Sequence, residues 1–253
     1  MSNFSVVVTC YNRENIVLDS IRSALDTGGE VIVVDDASSD NSFFVIKSTF
    51  SVQIRVGSLK LIRNKKNLGV TGSKNIGFIA ASKDYIGFLD SDDVLTQSSW
   101  GLMRAEMLEF SDCGIFFFRC KDQNGQYVGK RIHSSKRIDL RFFLKNTTQG
   151  EVFTVINKRV IKKAPYNAYF RGYEGIGCAR ILRETPGLLS KEVVRVYNQQ
   201  GQDRLSSRNI YTKRRKQIIV GHAIMLRKYG KYMTSMTRLK YNLKIFLNAI
   251  GII

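Results

Sequence analysis

YIGFLDSDD, residues 85–93, is the stretch that decides the fold. Five mostly apolar residues, Tyr85 to Leu89, have the length and composition of a buried strand. The run stops in three carboxylates, Asp90, Asp92 and Asp93, within four positions. An ionised carboxylate left unpaired away from water is costly, so this cluster needs solvent, a basic partner or a divalent cation. A strand that carries Asp-x-Asp at its carboxyl end in an α/β sheet puts those oxygens where such sheets bind ligands. The reading is a metal ion that holds a diphosphate.

Upstream, two further strands end in polar chemistry. Residues 4–9 (FSVVVT) are a β-branched run broken by Cys10-Tyr11-Asn12-Arg13, and residues 31–34 stop at Asp35-Asp36. Between them the pattern predicts a helix over 14–25 with Ile16, Ile21, Ala24 and Leu25 inward, closed by Gly28-Gly29. Ser39 or Asp40 is the expected N-cap of a helix reaching about residue 50. A third strand follows at 59–63, a turn at 67–69, and a helix over 71–82 that carries Lys74, Asn75 and Gly77. Strands alternating with helices imply a mostly parallel sheet with right-handed crossovers. Downstream the pattern is less regular, with helices at 96–110, 158–163 and 174–183, strands at 114–119, 152–156 and 193–197, and a hairpin turn at 123–126.

Length and composition fit one large α/β domain, or one domain with appendages: 253 residues, 43% hydrophobic, and too few prolines for long disordered linkers. The net charge of +19 is uneven, because residues 204–253 hold 12 Lys/Arg and no Asp or Glu. That segment asks for an anionic partner. Cys10, Cys113, Cys120 and Cys178 show no metal-ligand spacing, and no signal peptide is evident. They read as reduced, buried, cytosolic thiols. No stretch approaches the roughly 20 apolar residues of a membrane span.

Four segments in register resemble the nucleotide-sugar-dependent glycosyltransferases of family 2, which have the GT-A fold. They are VVVTCYNR (6–13), VIVVDDASSD (31–40), NLGVTGSKNIG (67–77) and YIGFLDSDD (85–93), covering roughly the first 110 residues. The resemblance implies a Rossmann-like, mostly parallel central sheet flanked by helices. It divides the chain into a glycosyltransferase domain, 1–203, and a basic helical tail, 204–253. Within the domain, 1–110 would bind the nucleotide sugar and 111–203 the acceptor.

The implied donor-binding residues are Thr9, Tyr11, Asp36, Asn67, Lys74, Asn75, Asp90, Ser91 and Arg204. Asp90 and Asp92 would hold Mn²⁺ or Mg²⁺, and Arg204 would meet the leaving diphosphate. Lys74 stands where the family often has arginine, which keeps the charge and loses the bidentate fork. The family commonly supplies its base as Glu-Asp at a helix start; here Glu174 matches and Gly175 replaces the second acid. Glu174 is then the base, unless Asp112 or Asp122 serves. Plainer readings stand beside these roles, with Asp35-Asp36 as a solvated loop and Glu174 as a helix-start acid favoured by the macrodipole.

The implied activity is an inverting, metal-dependent hexosyl- or N-acetylhexosaminyltransferase using a UDP-sugar. Its acceptor would be a polyprenyl-diphosphate-linked glycan of bacterial surface polysaccharide (O-antigen or capsule). In the tail, Leu239, Leu243, Phe246, Leu247 and Ile250 share one helical face with lysines off it. That pattern suits either packing on the domain or an anionic membrane surface, the latter implying a peripheral protein on the inner face of the plasma membrane. A nucleotidyltransferase would need a Gly-rich basic phosphate loop after the first strand, where Thr9-Cys10-Tyr11-Asn12 stands instead. A polyanion-binding protein would leave DSDD without a purpose, and no nucleic-acid reading motif is present.

Overall fold

The computed structural model describes residues 3–146, 150–171, 173–198 and 215–251. The strand Phe4–Cys10 (β1) lies mid-sheet and is buried along its whole length. Parallel to it on one side runs Glu30–Asp35 (β2), followed outward by Leu59–Arg63 (β3); on the other side runs Tyr85–Asp90 (β4). Thr9 lies opposite both Val34 of β2 and Asp90 of β4. The polar strand ends therefore fall level along one edge. Because the chain winds outward through β2 and β3 and returns to β4 beyond β1, that edge is a topological switch point, where open α/β sheets bind ligands.

Parallel pairing holds for β3-β2-β1-β4, and the remainder of the sheet is mixed. Val152–Asn157 (β8) runs antiparallel to β4 and to Ile115–Lys121 (β6), which pairs in parallel with Gly187–Val196 (β9). Two short strands, Val94–Leu95 (β5) and Lys136–Ile138 (β7), add to β9. At two and three residues they are too short to leave a periodic signal in the sequence.

Both faces of the sheet are covered, which accounts for near-continuous apolar strands rather than alternating ones. Val7 packs on one face with Phe78, Phe88 and Phe117; Phe4, Val6 and Val8 pack on the other with Leu89, Phe116 and Phe118. Helix Gly69–Ala80 (α4) approaches β1 closely at Gly77, where a Cβ would come 2.2 Å from Val7 Cγ1. The helices Val17–Leu25 (α1), Ser42–Thr49 (α2), Ser51–Arg55 (α3), Ser99–Glu109 (α5), Leu140–Asn146 (α6) and Gly175–Glu184 (α7) complete this part of the chain.

Several local expectations are corrected. The N-cap of α2 is Asn41 rather than Ser39 or Asp40, although Asp40 Oδ1 accepts from Ser42 N at 2.9 Å, and the strand expected at 193–197 begins at Gly187. The first helix starts at Val17 rather than 14, because residues 13–16 form a turn whose Glu14 side chain accepts from Asn41 N. Ile16 is consequently exposed and Leu25 half-buried, while Val17 and Ser20 face inward. No helix forms at 158–163. Asn157 Oδ1 accepts from Arg159 N, and Lys158 Nζ donates to the Phe78 and Ala81 carbonyls at the end of α4. Pro165 ahead also disfavours helical backbone at the residue before it. All four cysteines are free and buried.

Helix Arg215–Tyr229 (α8) and helix Ser235–Ala249 (α9) form a hairpin through a 3₁₀ turn at Gly230–Tyr232. Met225 and Tyr229 of α8, with Met233 after the turn, enter the same core as Val7. Among the described residues no helix is long and apolar enough to cross a membrane.

One buried carboxylate ties strands together. Glu30 accepts from Ser5 Oγ at 2.6 Å and Ser82 N at 2.8 Å, and pairs with Lys60 at 2.6 Å. Burial pushes its pKa up, but these partners overcome that and draw it down to about 2 from 4.5. A depressed carboxylate stabilises above its unfolded pKa and loses that contribution as pH falls through the folded value. Glu30→Gln should cost about 3 kcal/mol at pH 7. In urea unfolding, the gap to wild type should close between pH 4.5 and about 2; a gap that is constant with pH refutes the assignment.

Candidate active site at the carboxyl ends of β1, β2 and β4

Two loops are stitched at the mouth of the sheet. Ser38 Oγ accepts from Asn12 N at 3.0 Å, and Asn12 Oδ1 accepts from Ser39 N at 2.8 Å. Asn12 and Ala37 have φ of 52° and 60°, left-handed backbone that non-glycine residues adopt at a cost of about 1 kcal/mol or more. Thr9 is nearly buried beneath this mouth, and Tyr11 stands 46% exposed above it.

Asp36 is buried and holds the start of α4. Its Oδ1 accepts from Leu68 N and Asn64 Nδ2, both at 2.8 Å, and its Oδ2 accepts from Gly69 N at 2.7 Å. Asp35 pairs with Arg63 at 3.2 Å. The bland reading of Asp35-Asp36 as a solvated loop is thus overturned, since both carboxylates are buried and bonded to protein.

One face of α4 then grips the segment from Tyr166 to Glu174. Thr71 Oγ1 donates to the Phe170 carbonyl at 3.3 Å. Asn75 Nδ2 donates to the Tyr166 carbonyl at 2.7 Å, and its Oδ1 accepts from Tyr166 N at 3.0 Å. Positions 71, 74 and 75 share a helix face by their i, i+3, i+4 spacing, so Lys74 points the same way. Its Nζ lies 3.1 Å from Asp90 Oδ1 and 3.4 Å from Glu174 Oε1. Burial pushes the Lys74 pKa down, and Asp90 followed by Glu174 more than reverses it. Arg171 closes the seam by donating to Asn67 Oδ1 at 3.0 Å and to the Asn67 carbonyl at 2.8 Å. Asn75, expected beside the donor, engages the Tyr166 backbone through both its amide oxygen and its amide nitrogen.

The acidic turn after β4 divides its work. Asp93 is buried against Arg195 at 3.0 Å and accepts from Asn198 N at 2.8 Å. Burial pushes Asp93 up to about 7 against the pull of Arg195. The same guanidinium lies 3.8 Å from Asp90 and 3.6 Å from Glu151, and its Nε donates to Cys120 Sγ at 3.1 Å. In sequence, Val194-Arg195-Val196-Tyr197 resembles the family's loop over the donor; here residues 194–196 lie in β9, and Arg195 serves the acidic turn. The available signal was one arginine inside the apolar run VVRVY. Ser91 is buried in the turn, while Asp90 and Asp92 are half-buried.

Burial raises the Asp92 pKa and neighbouring Asp90 adds to the rise, a carboxylate pair that a cation would relieve. Among the described residues no three His, Cys, Asp or Glu side chains form a closed metal cage. Two carboxylates fit Mg²⁺ or Mn²⁺, which take one or two protein oxygens and complete their shell with phosphate and water.

Glu174 sits at the N-cap of α7 with its side chain about one-third exposed. The fallback acids are occupied: Asp112 pairs with Arg137, and Asp122 accepts from Asn124 N and Gln126 N within the hairpin turn. Arg204 lies outside the described residues.

A family model described as "Glycosyl transferase family 2" matches residues 5–167. The chain is 27% identical over 223 residues to the GalNAc(5)-diNAcBac-PP-undecaprenol beta-1,3-glucosyltransferase of Campylobacter jejuni, spanning 83% of this chain and 70% of that one. Its fold is similar to TarS 1–349 of S. aureus in complex with UDP-GlcNAc, with TM-score 0.65 and 16% identity over 96% of this chain and 70% of that one. It is also similar to the mannosyltransferase PcManGT of Pyrobaculum calidifontis in complex with GDP-Man and Mn²⁺, with TM-score 0.63 and 13% identity over 89% of this chain and 64% of that one. These structural likenesses show the GT-A fold.

Removing the Arg195 guanidinium would leave buried Asp93 uncompensated, so Arg195→Met should cost about 3–5 kcal/mol. Melting temperature, followed by circular dichroism, should drop by about 10 °C. Arg195→Lys should recover less than half, because a point charge cannot reach Asp93, Glu151 and Cys120 together. A melting temperature unchanged in Arg195→Met would refute the role.

Proposed function

The chain belongs to glycosyl transferase family 2, and from that premise we propose that it transfers a hexosyl or N-acetylhexosaminyl group, with inversion, from a UDP-sugar to a lipid-linked saccharide. The observation that carries this reading is Lys74, whose buried ammonium lies between Asp90 of the Asp-x-Asp turn and Glu174 of the second half. A donor-side carboxylate and an acceptor-side carboxylate thereby share one cleft.

Thr9, Tyr11 and Asp36 line the nucleoside pocket. Asp36 serves mostly by fixing the turn that carries Asn67 and opens α4. Asp90, Ser91 and Lys74 face the diphosphate, and Arg204 would join them. Bound at Asp90 and Asp92, Mg²⁺ or Mn²⁺ would supply positive charge for the diphosphate; the Mn²⁺ bound by PcManGT supports that choice.

The acceptor hydroxyl passes its proton to Glu174 as its oxygen bonds to the anomeric carbon. The bond from that carbon to the diphosphate oxygen breaks, and its electron pair leaves with UDP. In-line attack from the opposite side inverts the centre. Residues 1–110 form the donor half and 111–203 the acceptor half. UDP as donor nucleotide is supported by the UDP-GlcNAc bound to TarS. The lipid-linked acceptor, with action on the inner face of the bacterial plasma membrane in surface-polysaccharide synthesis, is supported by the printed name of the C. jejuni enzyme.

UDP release from UDP-sugars in the presence of Mn²⁺ and an acceptor tests the assignment. Glu174→Gln should lower transfer by about 10²–10⁴-fold while UDP binding, measured by titration calorimetry, stays within about threefold. Asp92→Ala should lose most Mn²⁺-dependent UDP binding. Full turnover in either variant overturns the site.

A further inference from the structure

The C-terminal hairpin presents two unlike surfaces. Its inner side is seated: Met225 and Tyr229 enter the core, Thr237 and Asn248 of α9 are buried, and the Tyr241 ring lies 5.3 Å from His222. On the outer side of α9, Met236, Leu239, Leu243, Phe246 and Ile250 are each more than half exposed. Their steps of three, four, three and four residues place them in one stripe about 21 Å long, at 1.5 Å per residue. The sequence face read as Leu239, Leu243, Phe246, Leu247 and Ile250 thus points outward, with Leu247 half-buried at its margin and Met236 extending it.

Charge selects the occupant. Arg238, Lys240 and Lys244 of α9 are exposed, and residues 204–253 hold 12 basic and no acidic side chains. A second copy seated on this stripe would bring two such hairpins together, against strong like-charge repulsion. An anionic bilayer answers both features, accepting the apolar stripe at the acyl boundary and the lysines among its headgroups.

We propose that the outward stripe of α9 docks on an anionic lipid surface, with α9 lying in the plane of the interface. The same hairpin touches the catalytic cleft. Tyr173, adjacent to Glu174, has its ring 3.0 Å from where a Cβ on Gly221 would lie, and its hydroxyl is 3.3 Å from His222 Nδ1. Docking through α9 thus holds the acceptor-side acid at a set distance from the lipid surface. This deepens the lipid-linked acceptor reading and rests on it for its purpose; the binding itself does not depend on the donor chemistry.

Flotation of the full chain with vesicles of equal parts phosphatidylglycerol and phosphatidylcholine, against pure phosphatidylcholine, is the test. The wild type should partition to the mixed vesicles, and Leu243→Glu/Phe246→Glu should lower that partitioning by about tenfold or more. Lys240→Gln/Lys244→Gln, which leaves the stripe intact, should also lower it, by about tenfold. UDP-sugar hydrolysis, unchanged in both variants, would show that the domain is folded, and its absence from the wild type would count against the enzymatic reading alone. Partitioning that ignores the stripe variant, or is equal on pure phosphatidylcholine, overturns the proposal. So does a dimer in light scattering that Leu243→Glu/Phe246→Glu dissolves while no vesicle binding occurs.

Discussion

The ammonium of Lys74 between Asp90 and Glu174 is the contact on which the site depends. Nearly a hundred residues separate Lys74 from Glu174, and a buried lysine keeps its charge only with partners at hand. Its two carboxylates provide them, and it in turn draws the second half of the chain over the carboxyl end of β4. Without that shared cation, two negative groups would face each other across the mouth of the sheet.

The surrounding acids are balanced in the same way. Arg63 answers Asp35, and Arg195 answers Asp93 from a buried position on β9. These pairs brace Asp35 and Asp93 in the turns, while Asp90 and Asp92 stand half-buried at the mouth of the sheet. A cluster that looks uniform in sequence is therefore two kinds of carboxylate. Some brace the turns, and others stand at the cleft.

Sequence patterning reveals the polar mouth of the sheet well, because each of β1, β2 and β4 is an apolar run that ends abruptly in polar residues. Parallel register then brings those ends level without further information. The far side was harder to read. Arg195 gains meaning only from Asp93 and Cys120, which are distant in sequence and brought beside it by pairing of β6 with β9. The same holds for Asn75 with Tyr166. Glu174 was reached by resemblance, since one acid at a helix start says little. For α9, a 3.6-residue period reveals that an apolar face exists; whether it faces inward depends on how α8 is seated, which local sequence does not encode.

The grip of α4 on the segment from Tyr166 to Glu174 has a consequence for how such chains diversify. Thr71, Lys74 and Asn75 on one side, and Phe170, Glu174 and Tyr166 on the other, are matched pairs across a seam. A chimera cut near residue 110, joining residues 1–110 to a foreign second half, would inherit one side of every pair. Grafting works only if both sides travel together, so variation is easier to gain in loops outside the seam than by exchange of whole halves.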